Sequence, residues 1–170
     1  MASKGFWVVF PMIIRTAKGE DLMKSEMPRF DAKMLAYCGL YCAACSFKTA
    51  HDEENPKHLE QLPFSFALKE LSSYNCECCK GYCICGPCQI KPCAAGKQLS
   101  SCGECKDFPC GHILAFEEDG MPHHRQAVEN LRQIRAQGTE VWFQSIAPAL
   151  HCPRCGAKQT WYYHCDCQEK

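Results

Sequence analysis

A chain of 170 residues with 19 basic and 19 acidic side chains has no net charge, which excludes recruitment to nucleic acid or anionic lipid by a bulk field. Seventeen cysteines supply much of the 46% hydrophobic count, and without them about 36% remains, a thin core for a domain of this size unless it is stapled. The cysteine count is odd, and tight C-x-x-C pairs recur at 42/45, 76/79, 85/88, 102/105 and 152/155, so the staples are read as metal–thiolate sites in a reducing, cytoplasmic compartment.

Residues 1–33 show no clear period and are expected to be a disordered or extended leader. Lys4 and the apolar run 5–14 look slightly like a signal peptide, but Pro11 interrupts the run and no small-x-small cleavage site follows. The run is also too short to span a bilayer, so no membrane association is expected. The run is read as a poorly ordered extension or as following an upstream start codon, with Met27 or Met34 as the expected natural beginning.

Residues 36–48 suit a short helix, which would put Cys38, Cys42 and Cys45 on one face at i, i+4 and i+7. A second helical stretch, 56–72, presents Leu59, Leu62, Phe66, Leu68 and Leu71, with Pro63 dividing or kinking it. Residues 76–110 hold ten cysteines among scattered Gly and Pro and have almost no apolar periodicity, so they build no core of their own. They contain an internal repeat, CGPCQIKPC at 85–93 and CGECKDFPC at 102–110, which reads as two similar half-sites.

Helical pattern returns with Ile113, Leu114 and Phe116, and again from Pro122 through Ala127, Val128, Leu131 and Ile134 to a terminating Gly138. His123 and His124 fall on the exposed first turn of that helix. Thr139 then reads as the N-cap of a short helix bearing Val141, Trp142, Phe143 and Ile146, ended before Pro148. The final segment, HCPRCGAKQTWYYHCDC, gathers Cys152, Cys155, Cys165 and Cys167 around a zinc-knuckle turn and a strand-like QTWYY.

The expected architecture is a small metal-stabilised protein, mainly α with irregular Cys-rich loops. It would comprise the leader 1–33, a Cys-rich metal-binding helical domain 34–148, and a short β zinc ribbon 149–170. Structural zinc takes four tetrahedral ligands and contributes on the order of 10 kcal/mol to folding, so several zinc sites would replace the missing core. Before the ribbon, the triplets 38/42/45, 85/88/93 and 102/105/110 each need one more ligand from Cys76, Cys78, Cys79 and Cys83. Alternatively, Cys76 and Cys79 join Cys85 and Cys88, while Cys93 joins the last triplet. His51, His112, His151 and His164 lie near clusters but read as solvated.

Thiolate sets also hold iron–sulfur clusters, which makes a cluster in the 34–110 region the alternative cofactor. Cys38, Cys42 and Cys45 match the C-x3-C-x2-C triplet that resembles radical S-adenosylmethionine enzymes, but the barrel that family requires has no counterpart here.

Taken in order, YCGLYCAAC, CECCK, CGPCQIKPCAAGK, CGECKDFPC and LRQIRAQGTEVW resemble the bacterial and archaeal cysteine-rich family catalogued as domain of unknown function 3795, over roughly residues 34–147. The resemblance implies metal binding at Cys38, Cys42, Cys45, Cys76, Cys79, Cys85, Cys88, Cys93, Cys102, Cys105 and Cys110, with Cys78 and Cys83 as extras and the terminal zinc ribbon as an appendage. It implies a prokaryotic origin and no particular activity.

The motifs of conventional catalysis, G-x-S-x-G, H-E-x-x-H and the phosphate or dinucleotide glycine loops, do not occur. The leading expectation is a non-catalytic zinc-binding module that contacts a protein or nucleic acid through its ribbon, where Trp161, Tyr162 and Tyr163 sit beside Arg154, Lys158 and His164. The same rings also read as cover for a ribbon with no other core. The alternatives are an iron–sulfur protein with a redox or electron-transfer role, and metal handling or thiol-based sensing.

Overall fold

The computed structural model describes residues 28–62, 76–83 and 86–168. The expectations for the leader up to residue 27, for the 63–72 part of the second helical stretch and for Cys85 lie outside these residues.

Folding begins before residue 34. Phe30 packs on Phe143 with ring centroids 5.4 Å apart and stacks on Tyr41 at 6.3 Å. Residues 36–45 are then turns where one helix is expected. Gly39 has φ +86°, a left-handed conformation that ends any helix passing through it. Its amide donates to the Ala36 carbonyl at 3.0 Å, the Ala36 amide donates to the Leu40 carbonyl at 2.8 Å, and a single 3-10 turn follows at Cys42–Ala44. The α-helical backbone starts only at α1, Ser46–Asp52. Cys38, Cys42 and Cys45 therefore do not share a helix face.

Pro56–Leu59 is a 3-10 turn. In the cysteine-dense stretch the sequence QIKPCAAG contains a helix that periodicity did not signal, α2 at Ile90–Gly96, which buries Ile90 and Ala94. Pro92 is tolerated because it lies in the first turn, where its missing N–H has no helical acceptor. The two repeat copies thus fold differently, since Pro109 and Cys110 of the second copy precede a helix, α3 at Gly111–Glu117.

Downstream the pattern is realised closely. A 3-10 turn at Pro122–Gln126 leads into α4, Ala127–Gln137, which ends at Gly138. Helix α5 spans Thr139–Ile146, with Gly138 rather than Thr139 at the cap position, and a 3-10 turn at Ala147–Leu150 follows.

Helix α4 organises the interior because its buried side chains serve two clusters. Val128 and Leu131 meet Ala36, Leu40, Ile90 and Ile113 in one, while Ile134 joins Leu35, Tyr41, Trp142 and Phe143 in the other. Trp161 from the C-terminal tail packs against both. Cysteine contributes to the core itself, with Cys38 and Cys102 inside the first cluster and Cys42, Cys79, Cys88 and Cys110 against it. Burying a thiol supplies apolar contact, so these residues partly fill the interior that the composition lacks.

The tail is not a separate ribbon. Among the described residues there are no strands, and the expected β ribbon is reduced to isolated bridges, His151 with Lys158 and Thr160 with Tyr163. The turn at the CPRCG knuckle and the 3-10 turn at Asp166–Gln168 leave too few consecutive residues for a ladder. Instead the tail bonds to the segment around α1. The Trp161 amide donates to the Ala44 carbonyl at 2.9 Å, and Gln61 exchanges two hydrogen bonds of 3.2 Å with the backbone of His164. Among the described residues no helix is long and apolar enough to cross a membrane.

Candidate metal centre

Four thiols converge in the tail. The Sγ atoms of Cys152, Cys155, Cys165 and Cys167 all lie within 4.8 Å of one another, and those of Cys155 and Cys165 are 3.6 Å apart. A tetrahedral ion with metal–sulfur bonds of about 2.3 Å requires sulfur–sulfur edges of about 3.8 Å, so the spacing fits a single four-thiolate ion. All four are thiols and not disulfides.

The local sequence explains the convergence. Gly156, at φ +72°, lets the chain fold back so that its amide donates to the Cys152 carbonyl at 2.8 Å. The Cys152 amide donates to the Ala157 carbonyl at 2.8 Å, closing the knuckle. The Arg154 amide points at the Cys152 sulfur from 3.4 Å, and the Arg154 guanidinium bonds the Cys167 carbonyl, tying the second pair of thiols to the first. Cys152 is buried, while Cys155 is exposed.

Charge in the quartet is unevenly held. Amide donors from Cys155 and Arg154 pull the Cys152 thiol down to about 7, while hydrogen bonding with Cys155 and Cys165 pushes Cys167 up to about 12. Full ionisation of such a set requires a cation among the sulfurs.

Most of the other expected ligands lie in the body. Cys38, Cys42, Cys45, Cys76, Cys79 and Cys88 line one cavity of about 460 Å³, together with the extra Cys83. Cys102 neighbours Cys93, Cys105 and Cys110, and burial followed by those thiols pushes it up to about 12. Among the described residues no second group of three thiol, imidazole or carboxylate ligands attains the spacing of the tail quartet. Cys78 is buried.

Several cavity residues carried no metal or site signal in the sequence. Lys48 is buried and donates to Asp52 at 3.1 Å and to the Cys76 carbonyl at 3.3 Å. Lys91 bonds the Gly81 carbonyl. His123 and His124, expected on an exposed turn, are half-buried and line the cavity with His112 and Trp161. His123 stacks on Trp161 at 4.2 Å and makes a 2.6 Å hydrogen bond between its Nδ1 and the Tyr162 hydroxyl. Adjacent His residues before a helix were the available cue, but the stack depends on a tail 38 positions away.

Fold and site together define a cysteine-rich, mainly helical protein with a cluster of thiols able to bind metal. Residues 34–115 match the family described as Protein of unknown function (DUF3795). The match stops within α3, short of the span suggested by the sequence resemblance, and leaves α4, α5 and the tail quartet outside it. Neither a curated protein nor a solved structure matches the chain.

Proposed function

We propose that the protein is a non-catalytic zinc-binding module whose tail quartet holds a structural ion and so fastens the C-terminal segment to the helical body. The observation that carries this reading is the mutual 4.8 Å limit on the four sulfurs. An all-thiolate tetrahedral set is a common structural zinc environment, and it leaves no coordination position open to a substrate. The tail aromatics support the fastening role. Trp161 and Tyr162 engage His123, and Tyr163 meets His58 edge-on at 4.8 Å, contacts that support a role for these rings as cover for the body. The body cysteines are proposed as a second metal-binding region.

Elemental analysis of the purified chain and its Cys155→Ser variant tests the tail site. Cys155 is exposed, so its replacement removes a ligand without opening the core. The variant is expected to hold one zinc fewer per chain than the wild type. Equal zinc content in the two proteins would contradict the assignment.

A further inference from the structure

The cavity in the body poses a different coordination problem from the tail. Cys38 and Cys42 reach it from the turns before α1, Cys79 from the 76–83 segment, and Cys88 from just ahead of α2. These four form one neighbourhood. Cys38 lies within electrostatic range of Cys42, Cys79 and Cys88, Cys42 within range of Cys79, and Cys79 within range of Cys88. Cys45, Cys78 and Cys83 also lie within electrostatic range of members of this set, but of the described cavity thiols only these four belong to or pack on the core cluster around Leu131. Cys38 is buried, and the other three pack against the same core cluster around Leu131.

Spacing and volume separate the two kinds of occupant. In the tail, every sulfur of the quartet lies within 4.8 Å of the others, a spacing that one tetrahedral ion could bridge. The cavity thiols do not close to that limit in any group of three among the described residues. They stand around about 460 Å³ of open volume instead. A single tetrahedral ion draws its sulfurs together and needs no cavity. An iron–sulfur cluster places its own iron and sulfide between the thiolates, which spreads the ligands and occupies space.

The surroundings suit a cluster as well. The Cys79 amide donates to the Cys42 sulfur at 3.4 Å. Such an N–H donor stabilises thiolate sulfur, and donors of this kind tune clusters. Lys48 and Lys91 line the same cavity and offset the negative charge that four thiolates bring.

We propose that Cys38, Cys42, Cys79 and Cys88 hold an iron–sulfur cluster in this cavity. The inference rests on reading the chain as a metal–thiolate protein but does not depend on the tail holding zinc.

The full chain is purified without oxygen, supplied with ferrous iron and sulfide, desalted, and assayed for iron, acid-labile sulfide, zinc and visible absorption. Wild type and Cys155→Ser are expected to be equally brown and to bind equal labile sulfide, while only the latter loses zinc from the tail. Cys88→Ser and Cys79→Ser, at half-buried positions, are expected to lose at least about five-fold in labile sulfide with unchanged helical circular dichroism. Wild-type protein that stays colourless and free of labile sulfide overturns the proposal, with no variant needed. Full labile sulfide in the Cys79→Ser/Cys88→Ser double variant overturns the ligand assignment. A tail that lacks zinc while the brown colour persists sinks only the tail reading.

Discussion

The hydroxyls of Ser46 and Thr160, separated by 114 positions in the chain, meet at 2.7 Å and are buried. Ser46 opens α1, and its Oγ also accepts the Tyr162 amide at 3.2 Å. One small side chain therefore terminates two polar groups of the tail inside the protein.

Replacing Ser46 by Ala leaves the Thr160 hydroxyl and the Tyr162 amide without this partner. The expected loss is about 1–3 kcal/mol in stability, measured by urea denaturation. Thr160→Val made alone removes only the hydroxyl pair. Combined with Ser46→Ala, it is expected to cost less than the two single changes added together, because both act on one contact. Strict additivity would show that the two hydroxyls are not coupled.

Gly39 and Gly156 both lie at positive φ, but they face different surroundings. A Cβ on Gly39 would sit 2.7 Å from Leu131 Cγ and 3.2 Å from the Ala127 carbonyl, whereas nothing lies within 4 Å of one on Gly156. Gly156→Ala carries only backbone strain, about 1–2 kcal/mol. Gly39→Ala adds a clash with the buried face of α4 and is expected to cost about 1–3 kcal/mol more. Comparison of their thermal midpoints tests this, and a Gly39 variant as stable as the Gly156 variant would mean that α4 does not press on the turn.

His123 makes stability depend on pH. Burial, and then the neighbouring His124, lower it from the ordinary 6.5 to about 4, with Asp119 opposing the shift. As pH falls below 6.5 the unfolded chain takes up the proton first, so the folded state loses ground progressively down to about 4. Above 6.5 this contribution is fully present. His123→Phe keeps an aromatic ring against Trp161 and is expected to flatten the fall in urea midpoint over that window. Acid also strips metal from thiolates, but it does so in both proteins, so the difference between their curves isolates the histidine. Parallel curves would contradict the assignment.

What the sequence disclosed follows from which contacts are local. Helix α4 was legible because Val128, Leu131 and Ile134 recur at helical spacing and Gly138 stops the run. The clustering of the tail thiols was legible because C-x-x-C knuckle spacing brings two sulfurs together locally. Cys38, Cys42 and Cys45 misled because their spacing fits a helix, while the close approach of Gly39 to Leu131, a tertiary contact, bends the chain there. Helix α2 was hidden by Pro92 and Cys93 and is fixed by burial of Ile90 and Ala94. The wall formed by His123 and Trp161 depends on how the tail folds back over the body, which no local pattern encodes.

Substitution with cobalt(II) tests the tail site most directly, because a four-thiolate tetrahedral ion gives intense visible ligand-field bands and sulfur-to-metal charge transfer. The spectrum of the wild type minus that of Cys165→Ser is expected to show one such ion per chain. Mass spectrometry showing S–S links among Cys152, Cys155, Cys165 and Cys167, or a difference spectrum without tetrahedral bands, would contradict it.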